Sequence, residues 1–158
     1  MLLYHGSNLP IENPLLLPAS HPTDFGTGFY TTTNHKQAAD FANRVVKLRN
    51  GVALVNIYEF NENEMEKYLI LRFESPNADW LHFVVNNRMS KQIEKNYDLI
   101  IGPVANDDVY ETIIAFENGI YDEQETLKRL LVRNLYNQYV FKNRDIMSKL
   151  IFKEVKNV

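Results

Sequence analysis

Four short stretches place polar or aromatic groups where the chain must turn, and these are where chemistry is sought first. In Leu3-Tyr4-His5-Gly6-Ser7 an imidazole ends an apolar run and glycine follows at once. An imidazole there can share a hydrogen bond with a hydroxyl, and glycine lets a second molecule reach the backbone N–H and C=O. In residues 24–32 (DFGTGFYTT), Gly26 and Gly28 precede Tyr30, whose ring could lie against a flat heterocycle. In residues 137–141 (NQYVF), Gln138 is a polar residue early in an apolar strand and can point into a cleft. Residues 97–108 (YDLIIGPVANDD) run from an apolar segment into Gly-Pro and then Asn106, Asp107 and Asp108. Functional loops sit at such ends. Each stretch also has a plain reading: a strand cap, a glycine turn, an edge glutamine in solvent, or the Asn and Asp of an ordinary turn.

Metal chemistry is not expected. Asp98, Asp107 and Asp108 lack the DxDxDG spacing of a calcium loop, and His5, His21, His35 and His82 show no HxxxH or HxH pattern. The sequence has no cysteine, which removes disulfides and thiolate ligands.

Alternating strands and helices must hold these groups in place. Residues 2–5 read as a short buried strand and residues 29–33 as a β-branched second one. Asn34 opens a helix, with Gln37 in capping-box position, and Ala38, Phe41, Ala42, Val45 and Leu48 form its apolar face. Gly51 stops it, and residues 52–60 read as a long strand. Ser75-Pro76 begins a helix whose apolar face is Trp80, Phe83 and Val84; the stretch around it reads as structural. Residues 97–101 form a strand. Asp122 with Glu125 caps a helix carrying Leu127, Leu130, Leu131 and Leu135, and two strands close the chain at 138–142 and 150–153. The order lacks a strict βαβ rhythm, which favours α+β over a doubly wound sheet, and no GxGxxG follows a strand and opens a helix, which argues against a Rossmann dinucleotide site.

The 158 residues read as one domain, 1–158, with 45% apolar and 23% charged residues. Aromatics reach 12%, a composition that suits a dense core and stacking pockets alike. A net charge of −3 argues against wide, non-specific nucleic-acid binding. The basic clusters Arg44, Lys47, Arg49 and Lys142, Arg144, Lys149 read as solvated faces. The start MLLYHGSN lacks the basic and apolar regions of a signal peptide, and no apolar stretch is long enough to span a membrane. A cytoplasmic location with no membrane partner is expected.

The stretches LYHGS, DFGTGFYTTT, QAADFA, DWLHFVVNNR, YDLIIGPVANDDVY and NQYVF together resemble the DUF3990 family, small bacterial proteins assigned to the ADP-ribosyltransferase superfamily. They occur in the family's order and span nearly the whole chain. The resemblance implies two small packed, antiparallel-rich sheets with flanking helices around an NAD cleft. It also implies a diphtheria-toxin-like His-Tyr-Glu signature on three strands.

By that resemblance, His5 would hold a ribose hydroxyl of NAD, the Gly6 backbone the nicotinamide carboxamide, and Tyr30 would stack on nicotinamide with Phe41 as the other wall. Ser7, Gly28, Asn106 and Asp107 would complete the NAD contacts. Gln138 stands where the branch often has Glu, which stabilises the cation-like transition state electrostatically. Glutamine accepts a hydrogen bond but carries no charge and is no base. Growth of ADP-ribose chains is therefore not expected, whereas single transfer stays open if the acceptor supplies its own nucleophile or if Asp24 or Asp107 assists. The implied protein is an NAD-dependent mono-ADP-ribosyltransferase acting as a bacterial toxin in toxin–antitoxin or phage defence. Its partners would be a macromolecular acceptor, protein rather than nucleic acid, and a cognate antitoxin. An NAD glycohydrolase and a non-catalytic NAD- or ADP-ribose-binding module are the alternatives.

Overall fold

A computed structural model describes residues 1–18, 22–89, 96–104, 107–131 and 135–158, with the backbone alone at 107 and 108. The architecture is mixed α+β. The elements in chain order are β1 (Leu2–Ser7), β2 (Phe29–Thr32), α1 (His35–Arg49) and β3 (Leu54–Glu59), then a 3-10 turn (Glu62–Lys67) and β4 (Ile70–Arg72). There follow α2 (Ala78–Arg88), β5 (Leu99–Pro103), α3 (Asp107–Glu117), α4 (Glu123–Leu131), β6 (Asn137–Phe141), the short α5 (Arg144–Met147) and β7 (Ile151–Asn157).

The seven strands form one hydrogen-bonded sheet in the order β4-β5-β6-β2-β1-β3-β7. This corrects the expectation of two packed sheets. All neighbours are antiparallel except β4 and β5. Side chains alternate across the pleat, so the sheet buries both faces. One face carries Leu3, Phe29, Tyr58, Tyr139 and Phe141. The other packs Ile100 and Val140 against Trp80 and Val84 of α2, Val109 and Ile113 of α3, and Leu130 of α4. The Trp80 indole N–H is satisfied by the Pro103 carbonyl at 3.1 Å, so this ring is core, as its spacing suggested.

Local signals explain most helix starts. The Asn34 side chain accepts from Gln37 N–H at 2.9 Å, Asn77 from Trp80 N–H at 2.9 Å, and Asp122 from Glu125 N–H at 2.8 Å. On α1 only Ala38 and Ala42 are buried; Phe41 is half exposed and Leu48 is 86% exposed. The five-residue apolar face is thus narrower than its spacing implied, because the residues that α1 buries against the sheet are the small Ala38 and Ala42.

Candidate functional site

The sheet opens between β1 and β2. Pairing of β1 with β3 runs its whole length, from Leu2↔Glu59 to Ser7↔Leu54, and β2 pairs fully with β6. Between β1 and β2 there is one register pair, Tyr4↔Thr32, after which the strands diverge. A cleft of about 1120 Å³ fills this split. His5, Gly6 and Ser7 line it from β1, Gly28 and Tyr30 from the facing lip, Phe41 from α1 and Gln138 from β6. Residues from opposite ends of the chain are brought together in one cleft. Asn106 lies outside the described residues, and of Asp107 the structure places the backbone, at the start of α3.

His5 fills part of the gap left by the missing ladder. Its Nδ1 lies 2.6 Å from the Tyr30 carbonyl. A carbonyl only accepts, so Nδ1 carries the proton and donates. Burial holds the His5 pKa below its ordinary 6.5, against the opposite pull of that hydrogen bond. The ring is therefore neutral at pH 7, and Nε2 keeps a lone pair for an incoming hydroxyl. The ring also stacks on Phe29, with centroids 4.5 Å apart and planes 27° from parallel.

Phe29 and Tyr30 point to opposite faces of β2. His5 thus leaves the sheet on the face opposite to the Tyr30 ring. The two side chains share one cleft without facing each other as the walls of a slot.

Tyr30 ties down the loop that forms one lip. Its hydroxyl accepts from Phe25 N–H at 3.1 Å. It can hand its single proton to the Gly26 carbonyl at 2.7 Å or to Thr23 Oγ1 at 2.9 Å. Lys142 holds the same loop, its Nζ donating to the Phe25 carbonyl at 2.7 Å. Burial raises the Tyr30 pKa well above its usual value, so the ring stays a phenol and serves as a surface and an anchor, not a base. Tyr30→Phe strands a buried N–H and is expected to cost about 1–3 kcal/mol. A thermal melt should show it as a fall of roughly 2–4 °C per kcal/mol. An unchanged melting temperature would mean that the hydroxyl anchors nothing.

The glycines act differently from the sequence expectation. A Cβ on Gly6 would stand 2.1 Å from the Ala38 carbonyl oxygen and 2.9 Å from Ala42 N, both backbone atoms of α1. On Gly28 it would stand 2.6 Å from Val140 Cγ1 and 2.9 Å from the Phe141 carbonyl oxygen. Protein, not ligand, occupies the room these glycines leave. Of the three glycines at the cleft, Gly26 is the one that needs its conformational freedom, at φ 73° in the lip.

Gln138 pairs with Thr32 on one side and Gly102 on the other. It is 6% exposed, and its Nε2 is buried with no hydrogen-bond partner. Buried amide donors are almost always satisfied. This one is left unpaired in a residue that lines the cleft from β6.

Asp24, on the lip, is a half-buried carboxyl group. Burial raises its pKa from 3.8 to about 6, while Arg88 pulls it down and Glu117 pushes it up. Arg88, Tyr110 and Glu117 also line the cleft and were not singled out from the sequence as site residues. Tyr110 and Glu117 lie on α3, which sequence reading passed over as a loop end. The apolar spacing of Val109, Ile113 and Phe116 carried the signal for that helix.

Among the described residues no helix is long and apolar enough to cross a membrane. No curated protein matches the chain, and no solved structure does. The family model DUF3990, described as a protein of unknown function, matches residues 1–152. With that match running over nearly every element that builds the cleft, the chain belongs to the DUF3990 family.

Proposed function

We propose that the cleft binds NAD and that the protein is a mono-ADP-ribosyltransferase, built on that superfamily's fold. The observation that carries this reading is the meeting of His5, Tyr30 and Gln138, from three strands, in the split between β1 and β2. The resemblance of six ordered sequence stretches to a family assigned to the ADP-ribosyltransferase superfamily supports it. The residues fit the substrate in chemistry: a neutral imidazole with Nε2 as acceptor for a ribose hydroxyl, an aromatic surface for the nicotinamide ring, and an amide that can meet the other ribose oxygens.

In the reaction, the bond between ribose C1′ and nicotinamide nitrogen breaks and its electron pair leaves with neutral nicotinamide. The acceptor's lone pair bonds C1′, and the acceptor's proton goes to a base. Asp24, titrating near 6, is mostly ionised at pH 7 and can take that proton. His5 and Gln138 position the ribose; neither supplies charge. Positioning and fixed dipoles carry the catalysis.

The test is labelled NAD with a cell lysate, following label on macromolecules and free nicotinamide. Wild type is expected to label an acceptor. Gln138→Glu places a negative charge beside the developing cation and is expected to raise nicotinamide release about tenfold. No label and no nicotinamide would sink the transferase reading. The uncharged Gln138 favours one second reading, a module that binds NAD without cleaving it; calorimetric binding with no nicotinamide release over hours would select it. Free ADP-ribose without added acceptor would mark a glycohydrolase. In the transferase reading the protein is a toxin, held in check by an antitoxin. Growth should stop on expression of wild type and continue with Tyr30→Ala.

A further inference from the structure

The cleft holds a second polar group of residues, away from His5 and Gln138. Arg88 closes α2, and its guanidinium lies 4.2 Å over the ring of Tyr110 on α3. Its Nε is 3.3 Å from Glu117 Oε1, one face and two turns further along α3. The contact is an ion pair without hydrogen-bond alignment. Arg88 Nη1 and Glu117 Oε1 are both buried with no hydrogen-bond partner. The two side chains are only 11% and 18% exposed. Asp24 faces the same pair from the lip, close enough for both to act on its charge.

Native proteins rarely leave a donor and an acceptor of one ion pair both without a hydrogen bond in a buried place. The site is preorganised: stacking on Tyr110 and attraction to Glu117 hold the guanidinium still. One guanidinium against two carboxyl groups leaves no positive surplus, so a phosphate is a poor match. An unpaired donor and an unpaired acceptor in one ion pair instead suit a neutral planar group that offers both an acceptor and a donor. Tyr110, 49% exposed, leaves ring surface for a flat group. At about 1120 Å³ the cleft exceeds the roughly 300–1,000 Å³ usual for one small ligand, which leaves room for this second group.

We propose that Arg88, Glu117 and Tyr110, with Asp24 at their edge, form a second subsite that takes a planar nucleobase or carboxamide edge. The edge donates to Glu117 Oε1 and accepts from Arg88 Nη1. The subsite rests on the cleft being a ligand site and does not require the transfer reaction. Two sources share this chemistry: the NAD molecule's own base, and a base or amide of the acceptor.

The experiment uses adenosine and nicotinamide as probes on the whole chain, followed by calorimetry. At least one should bind wild type, and Glu117→Gln and Arg88→Lys should each weaken it about tenfold. Saturating NAD then separates the sources: competition assigns the subsite to the base of NAD, and simultaneous binding assigns it to the acceptor. A variant that fails to fold is replaced by photo-crosslinking of wild type with 8-azidoadenosine, which should mark peptides of α2 or α3. The proposal is overturned if neither probe binds, if both variants bind as wild type does, or if the cross-links fall elsewhere. Nicotinamide release from NAD is measured separately, so a dead transferase with an intact subsite is told apart from a missing subsite.

Discussion

Gly6→Ala is expected to cost about 3 kcal/mol or more of folding stability. The added Cβ would meet the Ala38 carbonyl oxygen at 2.1 Å, and the next nearest atoms also belong to the α1 backbone. No side chain can swing away to relieve this. Either α1 lifts off β1, unpacking Ala38 and Ala42, or β1 shifts and breaks its register with β3. At roughly 2–4 °C per kcal/mol for a domain of this size, the melting temperature should drop by about 6–12 °C. Gly119→Ala is the contrast. Its Cβ would meet nothing within 4 Å, so only the strain of φ 70° is added. If Gly6→Ala melts with wild type, the close passage of α1 over β1 is wrong, and with it the shape of the cleft.

His5→Ala should lower nicotinamide release from NAD by about 10²–10³-fold under the transferase reading. The loss comes from an acceptor that the fold has prepared: the Tyr30 carbonyl fixes the tautomer, Phe29 fixes the plane, and burial keeps the ring neutral. The same features make a pH prediction that does not depend on catalysis. The folded pKa of His5 lies below the unfolded 6.5, so the unfolded chain binds the proton more readily. The stability due to neutral His5 is complete above pH 6.5 and is lost as pH falls towards and through the folded value. Asp24 runs the other way. Its folded pKa is raised from 3.8 to about 6, so its contribution is complete below 3.8 and lost as pH rises through 6. Between about pH 4 and 6.5 the two slopes oppose. Urea midpoints across that window should fall more steeply towards acid in Asp24→Asn than in wild type, and less steeply in His5→Asn. Parallel curves for all three chains would refute the burial assigned to both groups.

The strands that carry the site were legible because each is a short apolar run stopped by glycine or a polar residue. Residues 2–5, 29–33 and 138–142 were read within two residues of β1, β2 and β6. Turn and cap chemistry gave Asn34 and Asp122 for the same local reason. Three things were hidden. The three-residue β4 has too little length to show a period. The helix α3 was hidden by its first residues, because Asp107 and Asp108 look like a turn whether or not a helix follows. Sheet closure was hidden as well: one sheet joined at Tyr4↔Thr32, or two separate sheets, depends on a single backbone pair that no side-chain pattern encodes. The site followed the same rule. His5, Tyr30 and Gln138 stand out as odd types in apolar strands. Arg88 and Glu117 look like ordinary helix-surface charges until α2 and α3 are packed together.

The order of strands also sets when the molecule becomes complete. β2, near the middle of the sheet, waits for β6 as its neighbour, and Thr31 Oγ1 bonds the Tyr139 carbonyl across 108 residues of chain. A nascent chain leaving the ribosome therefore exposes His5 and Tyr30 long before Gln138 exists to finish their surroundings. Until β6 emerges, β2 is an open edge and the cleft lacks a wall. A chain that stops before residue 137 lacks β6, and with it the side of the cleft that Gln138 lines.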